Sequence, residues 1–422
     1  LIASPVPESN PVRSVASVSA GLAALLAALA MIGPFSIDTY LPAFPAIGTA
    51  LGASPVAVQQ TLTAYLVPFS LMIMWHGALS DALGRRRVIL VGLALYVLAS
   101  LFCVFGPQLF GSPATRIEYL WLGRALQGLC AGVGIVVSRA IIRDLLDGPA
   151  AQRLMARISM MFAIGPALAP VIGGWIHAFF DWHGIFAFMA LFGAALWLAT
   201  LRWLPETLPE EKRQSLHPVH LWHAYRSVFG HAEFMALSTA LSLNFIGMFV
   251  YVLSSPVFLT QHLGVSPQGF AWLFVPCVGG LVIGSYISSR LAGRLSPRRT
   301  IAVGYIVMCL AAAANLAMNM AFKARLPWAI LPFPFYTIGM AMAVPSLQLL
   351  ALDLFPEKRG LASSCQAVVQ TGTSAFSAAV LAPLLWSTPL MLAGGMAGSL
   401  LLGLCVFAIA LWHYRAPQRT SL

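Results

Sequence analysis

The chain has 422 residues, of which 59% are hydrophobic and only 9% charged, where an ordinary soluble domain carries about 25% charged residues. That composition excludes a soluble globular protein, and at roughly 20 residues per bilayer crossing it leaves room for about twelve crossings with their connections. The 24 Lys and Arg outnumber the 13 Asp and Glu, giving a net charge of +11; the cations stand in short clusters between apolar runs, the pattern of cytoplasmic loops and not of a nucleic-acid face, so no nucleic-acid partner is expected.

Residues 1–18 are polar and Pro-containing and read as a cytoplasmic leader. The first apolar run is too long for the core of a cleavable signal peptide, and no small-residue cleavage site closes it. With Gly, Pro, Arg and acidic clusters as punctuation, spans are predicted at 20–44, 57–79, 88–108, 117–143, 152–177, 184–204, 233–258, 268–292, 300–321, 327–353, 361–386 and 389–412, each long enough to cross. An N-terminal six-helix half (19–204) and a C-terminal six-helix half (233–412) are thus joined by a polar cytoplasmic linker (205–232), with a cytoplasmic tail at 413–422. The fold class is all-α integral membrane, twelve helices in two pseudo-symmetric halves. All six cysteines lie in largely apolar segments without CxxC spacing and read as small buried hydrophobes.

Twenty of the 24 basic residues fall on the side that holds both termini. Arg116, Lys323 and Arg325 fall on the other, and Arg124 lies within a span, so both termini are expected in the cytoplasm. An internal repeat supports two halves: Gly77–Gly92 aligns without gaps on Ser289–Gly304 at an offset of 212, matching Leu79/Leu291, Leu83/Leu295, Arg86/Arg298, Arg87/Arg299, Ile89/Ile301, Val91/Val303 and Gly92/Gly304. Parallel six-helix repeats of this kind surround a central site in one large class of transporters.

The loop between the second and third spans reads Gly77-Ala-Leu-Ser-Asp81-Ala-Leu-Gly84-Arg85-Arg86-Arg87. Gly77 would let neighbouring helices approach closely, Asp81 would accept from N–H groups at a helix start, and the arginines would anchor the cytoplasmic face. This loop resembles the G-x-L-a-D-r-x-G-r-r motif of the major facilitator superfamily, which implies a conformational gate at Gly77, Asp81, Gly84, Arg85 and Arg86. His76 and Ala78 depart from the more usual residues beside the glycine. In the fifth span Gly165, Pro166, Pro170, Gly173 and Gly174 resemble the g-x-x-x-G-P-x-x-G-G stretch of the superfamily's proton-coupled exporters, with Ala169 in place of one glycine. Small residues at this spacing form a flat groove for a partner helix and the prolines permit a bend; antiport is what the resemblance implies, while plain small-residue packing is the alternative reading.

Arg124 opens an R-x-x-x-G pattern with Gly128 that resembles one associated with proton coupling in the superfamily's drug exporters. An intramembrane arginine is expensive and is paired or faces water, unless it snorkels to the outer interface. Asp38 is the one acid placed away from the very edge of a span; it is either the proton carrier or a residue that ends the first helix at the outer surface. Asp38-Thr-Tyr40-Leu-Pro, Gln59-Gln60-Thr-Leu-Thr-Ala-Tyr65 and Ser138-Arg139-Ala-Ile-Ile-Arg143-Asp144 look like the Bcr/CflA group of multidrug exporters. The resemblance covers the N-terminal half well and the C-terminal half mainly by topology. Arg139 and Arg143 are expected as gate or anchor residues, with an Arg143–Asp147 helical pair.

For substrate contact the expectation falls on Tyr40, Gln60, Tyr65, Asn244, Phe245, Phe249, Tyr251, Gln366 and Gln370, because aromatic faces with sparse polar groups suit amphipathic molecules. Ordinary membrane packing accounts for such residues equally well. His217, His220 and His223 in the linker share a helical face loosely, but no Cys or carboxylate completes a site, so an interfacial amphipathic helix is expected and no metal. Neither a P-loop nor H-E-x-x-H occurs, which leaves ATP-driven transport and zinc proteolysis unsupported. The resemblance therefore implies a transporter, not an enzyme: a monomeric exporter of drug-like molecules in exchange for protons, in a bacterial inner membrane, with the proton as coupling ion and no other cofactor. A proton-coupled importer or metabolite exporter of the same fold remains the alternative, and a transporter-like sensor the more distant one.

Overall fold

The computed structural model describes residues 19–146, 148–213, 218–291 and 294–413, and the elements among them are helices and short helical turns. The leader, Asp147, His217, the side chain of His220 and the tail beyond 413 lie outside the described residues. In the N-terminal half, α1 (Ala20–Asp38), α2 (Pro55–Leu83), α3 (Arg85–Leu109) and α4 (Arg116–Leu145) are separate helices. The run Gly148–Trp203 is broken at Asp181, whose φ of 57° and ψ of −176° are incompatible with a continuing helix, and so supplies α5 (148–180) and α6 (182–203). The linker contains α7 (Pro218–Phe229), and the C-terminal half consists of α8 (Ala232–Leu253), α9 (Ala271–Leu291), α10 (Pro297–Ala321), α11 (Pro332–Leu352), α12 (Arg359–Phe376) and α13 (Pro389–His413).

Eleven helices among the described residues are long and apolar enough to cross a membrane, one of them the 40-residue stretch Ile164–Trp203. At about 1.5 Å per residue that stretch is roughly twice the thickness of a bilayer core, and with the break at Asp181 it crosses twice. Twelve crossings return the chain to the end at which it began, called here the near end.

Local sequence explains several helix boundaries. Ser54–Pro55 and Ser296–Pro297 start α2 and α10 in the same way: the serine hydroxyl accepts from a first-turn N–H, at 3.2 Å from Ala57 and 3.4 Å from Arg299, and the proline stands where no N–H is needed. The first predicted span, 20–44, is shorter as a helix than expected. It ends at Asp38 and is followed by a 3-10 turn Leu41–Ala43 and a short helix Phe44–Leu51, because Pro42 and Pro45 cannot donate to a preceding turn and each restarts the winding. Proline also moves α8 and α11: α8 stops at Leu253 ahead of Pro256, and α11 begins at Pro332 and not at 327. The predicted span 361–386 is regular only to Phe376, after which a π turn, Ser377–Leu381, leads into Ala382–Leu385.

The halves repeat one packing plan. Within the N-terminal half α4 lies against α1, α2 and α3; within the C-terminal half α11 lies against α8, α9 and α10. Between the halves α2 runs along α12, and α5 along α9. Leu95, Leu98, Phe105 and Leu109 on α3, Ile306 and Leu310 on α10, and Leu401 and Leu402 on α13 are exposed, as expected of a surface that faces lipid and gains nothing by hiding apolar side chains.

Candidate transport site

Arg124, in the third turn of α4, has 0% exposed surface. Glycines admit it to the interior. A Cβ on Gly128 would stand 2.2 Å from the Tyr65 carbonyl oxygen on α2, one on Gly123 would stand 2.6 Å from Cys103 Sγ on α3, and one on Gly134 would stand 2.1 Å from the Leu29 oxygen on α1. With α4 pressed against three neighbours, the guanidinium is enclosed by all of them. Its Nη2 donates to the Ser36 carbonyl at 2.8 Å and its Nη1 to Gln127 Oε1 at 2.6 Å. The guanidinium carbon lies 4.3 Å from the centre of the Tyr40 ring, 4.4 Å from Tyr65 and 6.0 Å from Phe186, contacts worth about 2 kcal/mol when desolvated. No carboxylate among the described residues lies within ion-pairing distance of it.

Hydrogen bonds carry the network outward from the cation. Gln127 Nε2 donates to Ser100 Oγ at 2.7 Å, Ser36 Oγ and the Tyr96 hydroxyl are 2.6 Å apart, and the Tyr40 hydroxyl is 2.8 Å from Thr61 Oγ1. Asp38, two residues beyond Ser36, is the last residue of α1 and is 4% exposed. It therefore ends the helix, as one reading expects, but it is buried and not at an exposed surface. Its Oδ1 has no partner, and a buried carboxylate without donors is unfavourable unless something removes its charge.

The fifth-span glycines sit where backbones nearly touch. A Cβ on Gly173 would stand 1.7 Å from the oxygen of Thr39, just after α1, and one on Gly165 would stand 3.3 Å from Pro34 Cβ. Gly174 faces the other half, 2.4 Å from the Pro267 oxygen by the same measure. α5 is thus held between the helix that carries Asp38 and the start of α9. Away from the near end, a cavity of about 360 Å³ opens between Phe44 and Thr49 of one half and Pro256, Gln261 and Trp386 of the other.

At the near end Arg85 ties three segments together. It pairs with Asp81, donates from Nε to Asp144 Oδ2 at 3.0 Å and from Nη1 to Ser80 Oγ at 2.7 Å. Asp81 does not cap the following helix as expected. Glu206, just after α6, does so, accepting from the backbone N–H groups of Arg85 at 2.9 Å and Arg86 at 3.2 Å, where the positive end of the α3 dipole favours an anion. Gly84 has a φ of 96°, a conformation that favours glycine, and a Cβ there would stand 2.6 Å from Glu206 Oε2. Gly77 is less confined than expected, since a Cβ would meet Val136 at an ordinary 3.8 Å. Arg86 Nη2 donates to the Leu201 carbonyl at 2.7 Å.

A sequence model of the Major Facilitator Superfamily matches residues 24–378. The chain belongs to the Major Facilitator Superfamily. Among relatives in the superfamily, the MFS-type transporter YdgK of Bacillus subtilis is 36% identical over 81% of this chain and 84% of its own length. Multidrug resistance protein D of Escherichia coli is 27% identical over 81% and 83%, and the bicyclomycin resistance protein homolog of Haemophilus influenzae is 25% identical over 93% and 95%. These relatives bear out the Bcr/CflA-like resemblance. The crystal structure of a D-xylose–proton symporter superposes with a TM-score of 0.68 over 93% of this chain and 97% of that one, at 18% identity, a likeness of fold.

On this superfamily frame the substrate candidates fall in different places. Tyr40 and Tyr65 form the Arg124 cage, and Gln60 Nε2 donates across the seam between the halves to the Ala379 carbonyl at 3.1 Å. Phe245 and Phe249 stack at 5.0 Å. Asn244 and Tyr251 turn instead into the interior of the C-terminal half: Asn244 Nδ2 donates to the Tyr305 hydroxyl at 2.8 Å, and Asn315 Nδ2 to the Tyr251 hydroxyl at 2.9 Å. Gln366 is buried with Nε2 unpartnered, and Gln370 is half-buried. In the linker, α7 docks through Tyr225, whose hydroxyl donates to the Met74 carbonyl at 2.9 Å, while Val219 and Trp222 are exposed. Contributors unassigned from sequence include Gln127, Phe186 and Glu206. Gln127 had a signal, one turn after Arg124 on the same face; the other two act across more than 60 residues.

Proposed function

We propose that the protein exports amphipathic drugs or antibiotics from the cytoplasm or inner leaflet in exchange for protons. It acts as a monomer in a bacterial inner membrane with the near end and both termini in the cytoplasm, and it needs no cofactor beyond the proton. The observation that carries this reading is the unpartnered, buried carboxyl of Asp38, on the same helix end whose Ser36 carbonyl receives the buried Arg124 guanidinium. In the outward-facing state Asp38 takes a proton; in the inward-facing state drug binds and the proton leaves. Arg124 acts on Asp38 through the Ser36 end of α1 and through its field. The two halves rock about the site, with the Gly165–Gly174 face of α5 closing on α1 and α9 to limit leakage, and with Arg85 and its partners gating the near end. The bicyclomycin and multidrug resistance names of the relatives support the substrate class.

The test is drug movement in proteoliposomes under an imposed pH gradient, wild type against Asp38→Asn. Gradient-driven movement that falls to background in the variant, with the protein still monodisperse, is the expected result. Full coupled transport by Asp38→Asn would overturn the assignment of the proton. Counterflow against drugs and metabolites separates export of drugs from import or metabolite export.

A further inference from the structure

Resting on that reading, the near-end mouth between the halves adds a preference of substrate charge. Arg139 and Arg143 lie one turn apart on one face of α4 and both are exposed, although Ser138, Ala140, Ile141 and Ile142 around them are buried. This face looks across the seam: Arg143 Nη1 lies 3.4 Å from where a Cβ on Gly360, at the start of α12, would stand. Neither guanidinium has a carboxylate within 4 Å among the described residues, and the adjacent Asp144 is engaged by Arg85 and Thr207. Moving inward from that contact, Arg139 is about 6 Å deeper along α4 and Gln366 about 9 Å deeper along α12. Gln366 is 3% exposed and its Nε2 donor has no partner.

Two cations without a carboxylate partner among the described residues thus stand on α4, and an unsatisfied amide donor stands on α12 across the seam. Deeper in, Arg124 adds a third cation, and Asp38 is the one acid buried in the N-terminal half among the described residues. We propose that Arg139, Arg143 and Gln366 form an anion-recognising mouth, and that the molecules admitted are amphipathic anions bearing a carboxylate or sulfonate on an apolar body. A lipophilic cation would meet like charge at Arg139 and Arg143 and again at the buried Arg124, where repulsion is screened least. An anion meets a planar fork of donors matched to its oxygens.

Two xanthene dyes of one scaffold test this: anionic fluorescein and cationic rhodamine 123. Equilibrium binding to the purified full chain in detergent reads the charge preference without any proton gradient, and uptake into inside-out vesicles reads transport. The expected result is at least tenfold tighter binding of fluorescein. Arg139→Gln should weaken fluorescein binding about tenfold without weakening rhodamine, and Arg139→Lys should restore much of it. Equal affinity for the two dyes, preference for rhodamine, binding of neither, or an anion preference unchanged in both Arg139→Gln and Arg143→Gln would overturn the proposal. Anion-selective binding lost in Arg139→Gln but unaccompanied by gradient-driven uptake would uphold the mouth and count against proton-coupled export.

Discussion

Tyr336 stands 212 residues after Arg124, the same offset that aligns the two basic loops, so these side chains hold corresponding places in the two halves. Each reaches a main-chain carbonyl on the first helix of its own half: Arg124 Nη2 the Ser36 oxygen at 2.8 Å, the Tyr336 hydroxyl the Asn244 oxygen at 2.9 Å. The architecture is shared and the charge is not. Around Arg124 lies a caged cation with a buried acid two residues from its acceptor. The groups bonded around Tyr336 among the described residues are neutral, with Asn244 bonded to Tyr305 and Asn315 to Tyr251. The near-end loops differ in the same sense. Glu206 and Asp81 bring carboxylates to the start of α3, whereas α10 starts on the Ser296 hydroxyl alone. A duplicated fold thus supplies two halves of one plan, and the buried ionisable side chains among the described residues, Asp38, His76, Arg85 and Arg124, all lie in one of them.

The strongest way to break this comparison is Arg124→Gln. Its removal leaves the Ser36 carbonyl and Gln127 Oε1 without their charged donor, at about 1–3 kcal/mol for each unsatisfied group. Transport should fall by about a hundredfold or more while the purified protein remains folded, measured as gradient-driven efflux alongside size-exclusion chromatography. Residual transport near the wild-type level would remove the functional asymmetry between the halves.

Packing supplies the next largest effect. Gly173→Ala places a methyl 1.7 Å from the Thr39 oxygen, whereas Gly279 in the C-terminal half has nothing within 4 Å. Overpacking costs about 1–3 kcal/mol or more, so Gly173→Ala should lower the melting temperature by several degrees and slow transport, with Gly279→Ala close to neutral in both. Equal loss from both substitutions would mean that α5 is not held more tightly at Gly173 than α9 is at Gly279.

These cases also mark what the amino-acid sequence made legible. Helix number and the two-half division followed from apolar runs and a 212-residue repeat, because a bilayer forces every crossing to be a long apolar helix. Arg124, Asp38 and the glycines around them were visible because charge and glycine inside such a run demand a reason. Helix ends near Pro42, Pro256 and Pro332 were misplaced, since hydropathy continues through a turn that the backbone cannot. Glu206 was illegible for a different reason. Its partner N–H groups belong to Arg85 and Arg86, more than a hundred residues away, and no local pattern distinguishes it from the other acids of the linker. That Asn244 and Tyr251 turn into the interior of the C-terminal half was not legible, because in a membrane both faces of a helix are apolar and periodicity carries little direction.

Glu206→Gln sharpens the contrast between the loops. The substitution keeps a hydrogen-bond acceptor at the start of α3 but loses the anion facing the helix dipole, at about 1 kcal/mol. It should lower thermal stability modestly and alter transport rate through the Arg85, Asp81 and Asp144 cluster. Ser296→Ala, with a similar loss of about 1 kcal/mol, should lower stability without changing transport. A rate unchanged in Glu206→Gln would reduce the loop to a structural cap like that of α10.

The smallest expected effect tests the neutral half directly. Tyr336→Phe deletes one hydroxyl that donates to the Asn244 carbonyl and keeps the ring in place. Side-chain hydrogen bonds inside membrane helices contribute about 0.6 kcal/mol on average, so the melting temperature should shift by little more than a degree or two. The pH dependence of transport should be unchanged, because no carboxylate, histidine or basic side chain among the described residues is bonded to Tyr336, Asn244 or Tyr305. A displaced pH profile in Tyr336→Phe would show that the C-terminal network shares in coupling, and the charge difference between the halves would then describe their chemistry without explaining their roles.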